Sequence, residues 1–168
     1  MKKLFAVFLV ILMSGCSIRP HVKTEQPFTK SLREYSSAAV SITAKPEISN
    51  SEDYDKVKAN LLNAIATKIN PRTGMIYVLD DTADLSINVE VRHFNYTSQA
   101  ARIMFGSLSG TALLATDVML IDNKTNEVLW KVQTDVSSTK LEGGFGGSST
   151  TQIEALSTLI ITQMQNKI

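Results

Sequence analysis

The stretch that decides the fold is "ALLATDVMLIDNKTNEVLWKVQTDV", residues 112–136. Two apolar, β-branched runs flank the polar sequence "DNKTNE", and Asn and Asp favour turns because they tolerate the left-handed conformation. We therefore predict a β-hairpin within residues 105–138. The first strand is largely apolar on both faces, so we expect it in the centre of a sheet. The return strand alternates and has one apolar face: Val128, Trp130, Val132 and Val136.

Three further segments towards the N-terminus read as strands. "ADLSINVEVRHF", residues 83–94, alternates between apolar and polar residues, which is typical of a strand with one wet face. "MIYVLDD", residues 75–81, reads as a buried strand, and "AAVSI", residues 38–42, as the first strand of the domain. Together with the hairpin, these segments predict a sheet of about five strands.

Two helices are predicted from apolar stripes that follow capping-box spacings. Ser49 and Glu52 precede the first stripe, and Thr151 and Glu154 overlap the second. The stripes are Tyr54, Val57, Leu61, Ile65 and Ile69, and then Ile153, Leu156, Leu159, Ile160 and Met164. The sheet offers the large apolar surface that both stripes need. We therefore expect an α+β fold: a mixed or antiparallel sheet with two helices packed on one face, in the order β-α-β-β-β-β-α.

The first residues have the pattern of an export signal. Lys2 and Lys3 precede an apolar run that is too short to span a bilayer, which needs about 20 residues. "LMSGCS", residues 12–17, resembles the bacterial lipobox, with Met13 where leucine is usual. The resemblance implies cleavage between Gly15 and Cys16, a diacylglycerol on the Cys16 sulfur and acylation of the new amino terminus. Two or more acyl chains anchor a protein stably.

Cys16 is the sole cysteine, which excludes an intrachain disulfide and a cysteine-based metal site. The residue after the lipidated cysteine resembles a sorting signal. In Gram-negative lipoproteins an aspartate at this position typically retains the protein in the inner membrane, and Ser17 resembles the default, which is transport to the outer membrane. We expect a lipid-anchored protein on the periplasmic face of the outer membrane. The inner membrane stays open as an alternative.

The sequence predicts three segments: a signal peptide at 1–15, a lipidated N-terminus and flexible tether at 16–37, and a single α/β domain at 38–168. The tether is polar and has no apolar face. Fully extended, it would hold the domain up to ~60 Å from the lipid. The chain has 17 Lys and Arg against 16 Asp and Glu, and loss of Lys2 and Lys3 leaves a net charge near −1. Nucleic-acid binders carry a strong basic excess, so we expect no nucleic-acid partner.

Several groups of residues have the chemistry of a functional site, but a structural interpretation explains each of them better. Asp80, Asp81 and Asp84 have hard-cation chemistry, but aspartates are ordinary at a strand turn. The glycine loop 143–147 lacks the arrangement of a phosphate-binding loop. Neither histidine has the neighbours of a catalytic triad: His21 lies in the tether, and His93 lies near the end of a strand. We therefore expect no catalytic residue, no metal and no cofactor.

The domain itself could enter a membrane in two ways, as a spanning helix or as a hairpin of a barrel. Gly106 and Gly110 form a GxxxG pattern, but Arg102 and Asp117 bracket only about fourteen residues, too few for a spanning helix. The 105–138 hairpin is long enough for a barrel strand pair. Its lipid-facing side would carry charges, so we favour a hairpin in water and keep insertion as an alternative.

The chain resembles a family of small bacterial lipoproteins of unknown function, in which a lipobox precedes a C-terminal α/β domain. The resemblance covers roughly residues 75–168 and rests on "ADLSINVEVRHF", the Gly106 to Gly110 stretch, "ATDVMLIDNKTNEVLW" and "GGFGG". Asn126 stands where that family has glycine, and asparagine also accepts positive φ. More distantly, the architecture is similar to the periplasmic domain of the curli-secretion channel lipoprotein and to lipoprotein activators of cell-wall synthases.

These observations predict a non-enzymatic envelope lipoprotein with a binding or assembly role. Its expected partners are the membrane, through the anchor, and another envelope protein or further copies of itself. The first alternative is a subunit of an oligomeric outer-membrane secretion or assembly complex. The second is a hydrolase or a metal-dependent enzyme.

Overall fold

The computed structural model describes residues 20–79, 82–95, 112–137 and 149–168. In these ranges the chain forms one mixed sheet of six strands with three helices. The strands are β1 His21–Gln26, β2 Ser37–Ala44, β3 Ile76–Tyr77, β4 Leu85–Asn95, β5 Leu113–Asp122 and β6 Glu127–Ser137. The helices are α1 Pro46–Ser49, α2 Tyr54–Thr73 and α3 Ser149–Gln165. The predicted α+β class is confirmed.

The strand order across the sheet is β1-β6-β5-β4-β2-β3. Strand β5 pairs antiparallel with β4 and with β6, and so lies inside the sheet as its apolar faces predict. Strand β1 pairs antiparallel with β6, whereas β2 runs parallel to both β4 and β3. A parallel connection needs a long crossover, and α2 supplies it between β2 and β3.

The hairpin turn has the conformation that its residues favour. Asn126 has φ 59°, the left-handed region, and its amide donates to the carbonyl of Asp122 at 2.8 Å. Asparagine tolerates this region better than most residues, so the turn forms without glycine. The hairpin that decided the fold is therefore present, with its strands at Leu113–Asp122 and Glu127–Ser137.

The core lies between one face of the sheet and the two long helices. The strand register aligns Ile87, Leu120 and Trp130 in one row across the sheet, all buried. Both predicted helix stripes face this surface, and their buried members include Leu61, Ile65, Leu156 and Ile160. Alternation in strands and a period of three to four in helices predicted this core correctly.

The predicted helix starts are wrong in detail. Ser49 ends the short helix α1, and α2 begins only at Tyr54 after an N-cap Asp53 that makes no side-chain cap bond. Thr151 lies inside α3 and does not precede it. Both Pro71 and Gly74 are residues that typically end a helix; Pro71 lies inside the last turn of α2, and the helix ends before Gly74, which adopts φ 77°.

Two readings of the sheet are corrected at its edges. The segment 75–81 was predicted to be a buried strand, but its described part, residues 75–79, contributes only the two-residue edge strand β3, in which Ile76 is 62 % exposed. The segment 16–37, read as a flexible tether, contains β1, which pairs along its length with β6. Strand β1 shows no apolar period because an edge strand over a wet face exposes most of its side chains. The folded domain therefore begins near His21 rather than at residue 38.

Candidate functional site: the docked N-terminal segment and the sheet edges

The predicted lipidation and cleavage residues, Cys16 and Gly15, lie outside the described residues. The same holds for other residues that the sequence singled out: Asp80, Asp81, Gly106, Gly110 and the loop 143–147. Of the three aspartates weighed as a cation site, Asp84 is described. Its Oδ2 accepts hydrogen bonds from the amides and hydroxyls of Ser36 and Ser37 at 2.7–3.0 Å. These bonds lower the pKa of Asp84 and tie the start of β2 to the start of β4, which is a structural role.

The two histidines lie apart. His93 borders an open cavity of about 350 Å³ that is also lined by Glu47, Glu52 and Asp53. His21 is exposed on β1, opposite Asp135 in the strand register. Within the described ranges, no group of three or more His, Cys, Asp or Glu side chains is placed to hold a metal ion.

The feature that the sequence did not predict is the docking of residues 27–36, hereafter the N-terminal segment, onto the hairpin. Its polar centre is Asp122, at the end of β5. Oδ2 of Asp122 accepts from Lys30 Nζ at 3.0 Å and from the Tyr35 hydroxyl at 2.9 Å. Oδ1 accepts from the amides of Lys124 and Thr125 at 2.9 and 3.2 Å. One carboxylate thus closes the hairpin turn and holds the N-terminal segment.

The electrostatics of this centre follow from its contacts. The Lys30 ammonium is the largest influence on Asp122 and, with the Tyr35 hydroxyl, holds the pKa of that carboxyl well below its usual range. Lys30 Nζ also lies 3.1 Å from Oε2 of Glu127. The carboxylates of Asp122 and Glu127 together raise the pKa of Lys30. Burial and the neighbouring carboxylate raise the pKa of Tyr35. At neutral pH, Asp122 is therefore ionised, Lys30 is protonated and the Tyr35 hydroxyl is neutral. This centre holds the N-terminal segment on the hairpin.

Apolar contacts attach the same segment to the core. The Phe28 ring stacks on Trp130 with centroids 5.1 Å apart and planes at 11°. Leu32 is 0 % exposed, and its amide donates to the carbonyl of Lys167 at 2.8 Å. Stacked aromatic pairs contribute about 0.5–1.5 kcal/mol beyond the area that they bury. The N-terminal segment is therefore part of the domain's core.

This docking shortens the distance between Cys16 and the folded domain. Four residues separate Cys16 from His21, the first residue of β1. At about 3.3–3.6 Å per extended residue, their Cα atoms are at most about 18 Å apart. The reach of ~60 Å expected for a tether that ends at residue 37 is wrong by a factor of about three.

The sheet face opposite the helices carries a network of ion pairs beside half-buried apolar residues of β5, Leu113, Met119 and Ile121. Arg92 lies 2.7 Å from Asp117 and 2.9 Å from Asp135, and Lys131 lies 2.9 Å from Glu25. These pairs link β1, β6, β5 and β4 across the open face. Three of the charges that disfavour membrane insertion of the hairpin, Asp117, Lys131 and Asp135, are thus paired across strands, and a fourth, Glu127, is paired with Lys30 of the N-terminal segment.

The largest described apolar side chains that remain exposed all lie at the two ends of the sheet. Val22 on β1 is 37 % exposed, Ile76 on β3 is 62 % exposed, and Leu79, two residues after β3, is 88 % exposed. Val22 therefore lies at one edge of the sheet, whereas Ile76 and Leu79 lie near the other edge. None of the described helices is long and apolar enough to cross a membrane.

Comparison with known proteins identifies the fold. No protein-family model matches the sequence, and no curated protein matches it. Among solved structures, the PelC dodecamer from Paraburkholderia phytofirmans superposes with a TM-score of 0.61 and 13 % identity, covering 87 % of this chain and 98 % of PelC. A variant PelC dodecamer in another crystal form has a TM-score of 0.59, 14 % identity, and coverages of 86 % and 97 %.

A third match is protein XCC0632 from Xanthomonas campestris, with a TM-score of 0.51, 10 % identity, and coverages of 88 % and 95 %. At these identities the likeness concerns the fold. It extends over nearly the whole length of each matched chain.

Proposed function

We propose that this chain is a lipid-anchored protein of the bacterial envelope, with a non-enzymatic binding or assembly role on the periplasmic face of the outer membrane. The observation that carries the proposal is the position of Cys16, which ends a lipobox-like sequence four residues before the first strand. Acylation of Cys16 would hold the domain within about 18 Å of the lipid. The anchor and the binding domain are then adjacent in space.

Assembly with further copies of the chain is part of this proposal. The fold is shared with PelC, which crystallised as a dodecamer. The exposed apolar side chains at both ends of the sheet are consistent with contacts between subunits. The alternative, a subunit of an oligomeric outer-membrane secretion or assembly complex, draws on the same two observations and differs in what the assembly serves.

The non-enzymatic role is favoured by how the described polar groups are used. Asp84 and Asp122 accept hydrogen bonds that join segments of the domain, and Arg92 and Lys131 are held in ion pairs. A hydrolytic turnover that His93→Ala abolished would instead support the second alternative, an enzyme.

Metabolic labelling with radioactive palmitate tests the anchor. The full-length protein should take up the label and sediment with the outer membrane, whereas Cys16→Ala should remain unlabelled and leave the membrane fraction. Ser17→Ala is the matched control and should behave as the unmodified protein does. Ser17→Asp should keep the label and move to the inner membrane. A wild-type protein without label would refute the proposal.

A further inference from the structure

The two outer edges of the sheet differ in their protection. Natural edge strands avoid unwanted pairing through charges, prolines and bulges. Strand β1 has Lys23 and Glu25 on the face opposite the helices and an irregularity in its pairing between Thr24 and Gln26. These features do not close the β1 edge, but they restrict it to a partner strand whose side chains on that face are small and uncharged. At the other end, β3 covers β2 only at Ser37 and Ala38, and the remaining residues of β2, Ala39–Ala44, pair with no described strand on that side.

The backbone groups at this second edge point outwards. Ile76 donates to the carbonyl of Ser36 at 2.8 Å and Val78 to that of Ala38 at 3.1 Å, so the even-numbered carbonyls of β2 face β3. Backbone direction alternates along a strand, so the amides and carbonyls of Val40 and Ile42 face the same open side. The open edge, Ala39–Ala44, contains no charged residue and no proline. It is a template for one further strand.

Strand β1 of a second copy has the length and direction to fill this edge. Strand β1 has six residues, as does Ala39–Ala44. Within one copy, β1 and β2 run in opposite directions, because β1, β6, β5 and β4 alternate and β2 is parallel to β4. Copies placed side by side in one orientation therefore bring β1 antiparallel to β2.

The side chains of the two edges also match face by face. Val22 and Val40 lie on the helix side of the sheet, since their register partners, the buried Thr134 of β6 and the core residue Ile87 of β4, lie on that side. On the opposite side, Lys23 of one copy would lie over the small, uncharged Ser41 and Thr43 of the next. Val22 would thus be covered by apolar neighbours, while Lys23 keeps its ammonium in water.

We propose that β1 of one copy pairs antiparallel with residues 39–44 of the next, so that the sheet continues from subunit to subunit. This rests on the homo-oligomeric assembly proposed above and names the surfaces that form it. The contact is head to tail, so it repeats from copy to copy and forms a ring where the rotation between copies closes, or an open filament where it does not. Since every copy keeps the same strand direction, all β1 strands start on one rim. Every Cys16 then lies within about 18 Å of that rim, as one membrane surface requires.

A symmetric pairing of two β2 edges is the competing arrangement. A two-fold axis would invert one copy and place the two anchors on opposite rims of the sheet. A strand of eight residues, such as β2, is about 26 Å long, which exceeds the reach of one anchor. The short connection from Cys16 therefore favours the head-to-tail contact.

Two single-edge variants of the acylated, full-length protein test the proposal. Val22→Lys places a charge among the apolar neighbours of the β1 edge. Ser41→Lys combined with Thr43→Lys adds charges to the β2 edge at exposed positions, where they face Lys23 of the next copy. Asn60→Lys, on the exposed side of α2, is the matched control. Circular dichroism melts establish that each variant is folded.

Light scattering in mild detergent, corrected for the micelle, gives the protein mass. We expect the unmodified protein and the control to have the mass of several subunits, and each edge variant alone to have the mass of one. An equimolar mixture of the two edge variants has one intact contact left, so its mass should double to that of a dimer and grow no further.

Three results would overturn the edge pairing: a monomeric unmodified protein, assembly that survives Val22→Lys, or a mixture that stays monomeric. Survival of Val22→Lys together with loss on Ser41→Lys and Thr43→Lys would indicate the symmetric pairing. The palmitate label reports on the anchor independently of mass. A labelled monomer would therefore refute the edge contact and leave the anchoring intact.

Discussion

The hairpin β5–β6 and the N-terminal segment, residues 27–36, contact each other but are held in different ways. The hairpin is specified by its own sequence: alternating apolar residues, a turn of Asp and Asn, and a return strand. The N-terminal segment is held by residues about 90 to 135 positions away, such as Asp122 and Lys167. Interior strands can therefore be identified from the local periodicity of the sequence. The docking of the N-terminal segment depends instead on single side chains that are distant in sequence.

The same difference predicts how the two regions unfold. Strand β5 is paired on both sides and covered by α3, so its opening requires global unfolding. The N-terminal segment is attached through a few contacts at one end of the molecule. We expect the free energy for detaching this segment to be lower than the free energy for opening the sheet. The following substitutions test this expectation.

The largest effect is expected at Trp130, where the two regions meet. Trp130 is 4 % exposed and carries the Phe28 ring on its face, so Trp130→Ala removes core packing and the stacking platform together. We expect a loss of about 3–5 kcal/mol in the free energy of unfolding, measured by urea denaturation. Trp130→Phe is the conservative control and should lose less. A near-neutral result for Trp130→Ala would contradict the position of this side chain in the core.

Leu32→Ala should have the next largest effect, because Leu32 is fully buried in the N-terminal segment. We expect a loss of about 2–3 kcal/mol, the lower part of the range for buried leucines, since the segment is able to detach from the sheet. Asn60→Ala, on the exposed side of α2, is the control and should stay within about 0.5 kcal/mol of the unmodified protein. Equal losses at the two positions would indicate that the segment is not docked.

Phe28→Leu isolates the aromatic stack. The substitution keeps an apolar side chain and removes the ring contact with Trp130, so we expect a loss of about 1 kcal/mol. Hydrogen exchange should accelerate at Thr29, whose amide donates to the carbonyl of Leu129 at 3.0 Å, and stay unchanged in β5. Acceleration of both regions by the same factor would mean that they open as one unit.

The smallest effect concerns pH and Asp122. Its carboxyl has a lower pKa in the folded protein than in the unfolded chain, where it is about 3.9. The stability that it contributes is therefore complete above about pH 4 and is lost as the pH falls further towards the lowered pKa. The melting temperature of the unmodified protein should fall more steeply between about pH 4 and 2.5 than that of Asp122→Asn. Parallel curves would show that the Lys30 and Tyr35 contacts do not form in solution.

The fold was predictable where periodicity and burial coincide. Strands β4, β5 and β6 and the stripes of α2 and α3 bury every second, or every third to fourth, residue, and that pattern is visible without a structure. Strand β1 was not predictable in this way, because its partner β6 lies about 110 residues away and five of its six side chains are exposed. The aromatic and apolar residues of the tether, Phe28, Leu32 and Tyr35, were the available signal that this segment packs.

The candidate site was predictable only at its covalent end. Cys16 stands out because the lipobox is a contiguous pattern. The exposed apolar residues at the sheet edges could not be identified from the sequence, because only the strand order shows that Val22 lies at one end of the sheet and Ile76 and Leu79 at the other. The aspartates were weighed as a cation site because they are close in sequence, whereas Asp84 in fact binds two serines across the start of β2.

Hydrogen–deuterium exchange of the full-length protein at neutral pH tests the central claim, that residues 21–36 are folded onto the domain and shorten the link to Cys16. The amides of Thr29 and Leu32 donate to Leu129 and Lys167, so both should exchange far more slowly than in an unstructured peptide. Exchange of these amides at peptide rates, while β5 stays protected, would contradict the claim and restore a free tether.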